Sequence, residues 1–155
     1  MEDNQLLETW QIHDRINIYL LDDVDPDALN SHSASKGRSV GEQFAHVHNV
    51  RLMWLKAAAP ELLAGLVKIE NTQANDKKLL RSSLLDSGRA IGALLTKSLK
   101  ADGKVKGFKP HAAAFLGYLI SHESHHRGQI VLTLKQAGEP VDKKVSYGIW
   151  EWGGR

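Results

Sequence analysis

The stretch SHESHHRGQI, Ser121 to Ile130, carries three of the chain's eight histidines. His122 and His126 stand four residues apart, a spacing that puts both rings on one face of an α-helix, one turn from each other. Two imidazoles so placed can share a metal ion, as they do on HExxH zinc helices. The order here is HExHH, so that zinc motif itself is absent. Glu123 projects about 100° away from His122 around the helix. Working outward, Phe115, Leu119, His122, His126, Gln129 and Thr133 form one stripe with Ile130 beside it. That spacing faces a core. The histidines interrupt it, and a buried polar group needs a partner. A bare HxxxH pair is commonly a surface feature. The apolar setting, and a second pair at His46 and His48 in another helical pattern, argue for more.

Four helices follow from the 3.6-residue periodicity. Gln5 to about Leu21 is the first, with Leu6, Leu7, Trp10, Ile16, Tyr19 and Leu20 on its apolar face. Residues 22–37 form a loop. Ser39-Val-Gly-Glu42 reads as a capping box that opens the second helix, which ends near Ala59 ahead of Pro60. Val40, Phe44, Val47 and Trp54 centre its apolar face. Residues 60–71 form a connector whose Leu62, Leu63, Leu66 and Ile69 tuck it onto the core. The third helix spans about Asn75 to Lys100, and Gly103 is its stop. Pro110 is expected as the first residue of the fourth helix, which runs to about Ala137 before Gly138 and Pro140. The tail, residues 141–155, has no helical period, but Trp150 and Trp152 need burial against the bundle or a partner. No alternating strand pattern occurs. The expected fold is all-α, a four-helix bundle in one domain over residues 1–155.

Composition bounds the function. The 155 residues include no cysteine, which excludes disulfides, thiolate metal sites and a cysteine nucleophile and fits a cytoplasmic protein. A net charge of +2 with mixed signs gives no reason to expect nucleic acid. No apolar run approaches the length of about 20 residues that a bilayer span needs, so no membrane is expected. Bundle interiors host metal sites built from facing helices. One histidine of the second helix with His122 and His126 makes three ligands and leaves an open position, the pattern of catalytic zinc.

Two segments carry a resemblance. SVGEQFAHVHNVRLMWL (Ser39–Leu55) and HESHHRGQI (His122–Ile130) resemble the second and fourth helices of the DinB/YfiT-like family, whose fourth-helix motif is HxxxHRGQI. The resemblance implies an up-down-down-up bundle and a three-histidine site holding a divalent metal, nickel or zinc. It also implies an activity such as thiol S-transfer, with a low-molecular-weight thiol as cosubstrate, and a homodimer. A metal-dependent hydrolase and a non-catalytic metal- or small-molecule-binding stress protein are the competing functions. His122 and His126 match the family's ligand positions. For the helix-two ligand, the family register selects His46, whereas a helical wheel puts His48 nearer the apolar centre; His46 is the assignment taken. His125 falls to one side of the pair. Arg51 and Arg127 are read as surface or salt-bridging arginines, with an anionic substrate as the alternative. Glu123 is read as facing solvent or pairing with a base. Gln129 is expected to fix packing, and Gly128 to admit a close neighbour. His13, His32 and His111 have no assigned role.

Overall fold

The computed structural model describes residues 2–155. Helix accounts for 72% of the chain, and no strand occurs among the described residues. The long helices are α1 (Glu2–Asp23), α2 (Val40–Ala58), α3 (Lys77–Lys100) and α4 (Ala112–Gln136), followed by a short α5 (Lys143–Gly148). None is long and apolar enough to cross a membrane.

Local chemistry sets the ends. The capping box is present in full: the Glu42 amide donates to Ser39 Oγ (3.1 Å), and the Ser39 amide donates to Glu42 Oε1 (3.0 Å). A cap of this kind contributes about 1 kcal/mol. Gly138, with φ +79°, closes α4 in a Schellman motif, its own amide on Lys135 O and that of Glu139 on Leu134 O. Pro110 does not open α4. His111 is the N-cap instead, its Nδ1 accepting the Ala114 amide at 3.1 Å.

Side-chain pairs across the helices give the topology. His13 and Asn17 meet Glu123, and Asn17 also meets Arg127, so α1 and α4 run parallel. Trp10 Nε1 donates to Gly88 O while Arg81 pairs with Asp22, so α1 and α3 run antiparallel. Gly41 abuts Ala74 while Arg51 reaches Leu84, so α2 and α3 run parallel. Gln43 meets His126 while Arg51 meets Glu123, so α2 and α4 run antiparallel. The order is up-down-down-up. It makes α2 and α4 neighbours although α3 lies between them in sequence.

Two apolar clusters fill the bundle, one around Ile16, Phe44, Leu80 and Ile130, the other around Trp10, Leu55, Ile91 and Phe115. Ile69 of the connector is buried in the first cluster, and Leu62, Leu63 and Leu66 pack against the second. Asn49 fixes that connector by exchanging hydrogen bonds with the Ile69 backbone, both 2.9 Å. The tail differs from expectation. Residues 143–148 are helical, and Trp152 packs on the first cluster, but Trp150 is 76% exposed. Arg155 anchors the tail with its guanidinium 3.9 Å from the centre of the Tyr19 ring.

Candidate metal centre

The antiparallel α2/α4 contact brings three histidines together. One ring nitrogen from each of His46, His122 and His126 lies within 4.8 Å of the others. His122 Nε2 and His126 Nε2 are 3.2 Å apart, and the His46 ring centre is 4.6 Å from that of His126 and 5.4 Å from that of His122. His126 is buried; the other two are half-buried. His126 is oriented through its other nitrogen. Nδ1 donates to Gln43 Oε1 (2.8 Å) and Gln129 Oε1 (2.9 Å), which leaves the Nε2 lone pair facing His122 and His46. Such a partner on the second nitrogen is how metal-binding histidines are held in the right tautomer. Burial, followed by the charges of His122 and His46, pushes the His126 imidazole down to about 4. Burial also lowers His46 and His122, helped at both by the positive charge of Arg38. All three rings are therefore neutral at pH 7, the form that binds metal. His122 Nδ1 is buried with no hydrogen-bond partner.

His48 is not in this cluster. It is more deeply buried than His46, as the wheel anticipates, but on the arc facing α3 and the connector, where its Nε2 donates to Val67 O at 2.8 Å. The cluster occupies the rim between α2 and α4, so its helix-two member is the less buried histidine. His125 is exposed, its ring stacked edge-on beside His126 at 5.1 Å between centres.

Several sequence expectations change. Glu123 does not face solvent but does pair with a base, the other of its two expectations; it is 1% exposed and sits in the bundle core. Arg51, fully buried, grips it with Nε on Oε2 (2.8 Å) and Nη2 on Oε1 (2.7 Å). His13 Nε2 and Asn17 Nδ2 each donate to Oε1 at 3.0 Å. Burial would raise the Glu123 carboxyl, but the charge and hydrogen bonds of Arg51 bring it down to about 2. Arg51 also donates to Leu84 O and Ser87 Oγ, and its Nη2 lies 2.9 Å from Asp14 Oδ1. That last pair is an ion pair without hydrogen-bond alignment. Arg127 donates to Asn17 Oδ1 (2.7 Å) and Ser124 Oγ (3.1 Å). Both arginines are thus consumed in the core, and neither waits for an anionic substrate. His13, given no role from sequence, is a member of this network. Its signal was its place four residues before Asn17 on α1. Arg51's signal was clearer: it lies four residues after Val47 and seven after Phe44, on the apolar face. Gly128 admits no close neighbour; a side chain there would meet nothing within 4 Å.

An aromatic cluster lies on one side of the triad. The Tyr118 ring is nearly parallel to His122 at 6.5 Å, with Trp54 and Phe108 behind it at 5.6 and 5.2 Å.

Fold and site together define a four-helix bundle with a three-histidine cluster, able to hold a metal ion, between two antiparallel helices. The model of the DinB family matches residues 1–145, and the chain belongs to the DinB family. Comparison with curated proteins and with solved structures finds no match.

Proposed function

We propose that the chain is a divalent-metal-dependent enzyme that joins a low-molecular-weight thiol to a small substrate, with His46, His122 and His126 as the ligands of nickel or zinc. The observation that carries the reading is the 3.2 Å gap between His122 Nε2 and His126 Nε2. Two nitrogens bound at 2.0–2.1 Å to one tetrahedral ion stand about 3.3 Å apart. When bound, a divalent ion supplies Lewis acidity and lowers the pKa of a thiol or water at its open position. Gln43 and Gln129 hold the His126 ring in the tautomer that offers Nε2. The chain has no cysteine, so a reacting thiol must come from a cosubstrate. Small thiols stay reduced in the cytoplasm, the compartment this reading assigns.

Hydrolysis is the weaker reading, because it wants a general base beside the triad. Glu123, next to His122 in sequence, is committed to Arg51 and His13. Exposed Trp150 on the tail supports a homodimer as part of the proposal, with light scattering as its check.

The deciding experiment offers 1-chloro-2,4-dinitrobenzene with cysteine or glutathione to metal-stripped and nickel- or zinc-reconstituted protein. Conjugation by reconstituted protein only, lost in His126→Ala, is the expected result. Full metal uptake without conjugation of any thiol would overturn the transferase reading in favour of a binding protein.

A further inference from the structure

We propose that the groove between α2 and α4 binds an amphipathic organic anion, its charged end at Lys36 and Arg38 and its apolar end against Tyr118, across the histidine triad. The inference takes the reactive centre from the function proposed above but stands on different residues.

A cavity of about 320 Å³ opens beside the triad, lined among others by Lys36, Arg38, Gln43, Gln129, Leu132 and Gln136. Gln43 and Gln129 are the same amides that hold His126, so the cavity and the triad share a wall. No carboxylate lines the cavity, and neither Lys36 nor Arg38 enters an ion pair among the described residues. Two cations with no contact ion pair, on a wall of neutral amides and hydroxyls, favour a negative group, although the Glu42 carboxylate outside the cavity feels the charge of Arg38.

The loop that carries the cations is fixed in place. The Ala34 amide donates to Gln136 Oε1 on α4 at 2.9 Å, and Ser33 Oγ donates to Lys36 O at 2.8 Å. Lys36 has φ +67°, the left-handed region that disfavours a side chain, with Gly37 next to it at +94°. That backbone conformation belongs to the turn that the Ser33 Oγ bond to Lys36 O closes.

The other end is apolar. Tyr118 is 42% exposed, lies parallel to His122 and is backed by Trp54 and Phe108. Because α2 and α4 are antiparallel, the cations and the aromatics fall on opposite sides of the triad. Gln129 and Tyr118 stand about 16 Å apart along α4 at 1.5 Å per residue, so the occupant is extended.

Isothermal titration with 8-phenyloctanoate, its uncharged amide and octanoate tests this on the full chain, both metal-stripped and zinc-loaded. The carboxylate should bind about tenfold more tightly than the amide, and the phenyl compound more tightly than octanoate. The Lys36→Ala/Arg38→Ala double variant should erase the preference for carboxylate over amide in metal-stripped protein, where no ion can attract the carboxylate. Tyr118→Ala should erase the phenyl preference and keep the charge preference. Zinc content of all variants should match the parent, which separates this proposal from the metal reading. A carboxylate preference in stripped protein that vanishes with the double variant would stand even if the triad took no metal. Equal binding of acid and amide, a preference unmoved by the double variant, or no saturable binding in either state would overturn the proposal.

Discussion

His122 and Glu123 are adjacent in sequence and turn into two different polar clusters. Glu123 enters a network in which its carboxylate receives two bonds from Arg51 and one each from His13 and Asn17. His122 enters a cluster of three rings, each lowered chiefly by burial, and its own Nδ1 has no partner. In a low-dielectric interior, closed networks rigidify and open ones are costly. In the first cluster both Glu123 oxygens are hydrogen-bonded and the bonds hold α1, α2 and α4 together; only Asp14 Oδ1, at its edge, has an ion-pair partner without a hydrogen bond. The second turns three ring nitrogens towards one point, where a metal ion could share them. Burial of polar residues therefore says little about role; whether their bonding closes says more.

The largest way to break this comparison is to open the closed network. Glu123→Ala leaves Arg51 a buried charge bonded only in part, which should cost about 3–5 kcal/mol. Urea unfolding would report it, and adding Arg51→Met should recover much of the loss. A single variant that loses less than about 1 kcal/mol would show that the network does not hold the bundle. Next in size is the triad. His126→Ala should lose the bound equivalent of nickel or zinc by elemental analysis and cost metal-free protein about 1–3 kcal/mol, since Gln43 Oε1 forfeits its donor. His46→Ala should also lose the metal. His48→Ala should keep the metal and lose about 1–3 kcal/mol, since Val67 O forfeits its donor. A His126→Ala protein with full metal would remove the distinction between the clusters.

The smallest effect is the dependence on pH, and it separates the clusters by window. His126 is depressed from about 6.5 to about 4, so below 6.5 the unfolded chain takes up the proton first. Metal-free protein should therefore lose stability as pH falls from 6.5 towards 4, and His126→Ala should make that limb shallower, the remainder coming from His13, His46, His48 and His122, which burial lowers as well. Glu123 is depressed to about 2; its contribution is whole above the ordinary glutamate range and lost as pH falls through 2. Asp14, raised by burial, opposes it in part over the carboxylate range. Urea midpoints across pH 2–8 would test both limbs, and a flat profile from 6.5 to 4 would contradict the neutral-ring description.

Much of the bundle was legible because helices report themselves locally. The Ser39–Glu42 box and the Gly138 stop need only a few neighbouring residues. The His122–His126 pair was legible for the same reason, both rings lying on one turn. What escaped depended on other helices. His46 and His48 cannot be separated by burial, because the site is on a rim and the deeper histidine faces α3. The partners of Glu123 come from α1 and α2, and no spacing within α4 names them. Trp150 resisted prediction because an aromatic side chain need not be covered by its own chain.

The chain order of the bundle bears on its synthesis. In a nascent chain that has completed α1 to α3, the Arg51 side chain already has Asp14, Leu84 and Ser87 at hand but not its main counter-ion, which arrives with α4. Docking of α4 then delivers Glu123 to that arginine and His122 and His126 to His46 in one movement. The docking of α4 thus neutralises the interior and assembles the triad together, so any metal held by all three histidines is taken up only after α4 has been translated.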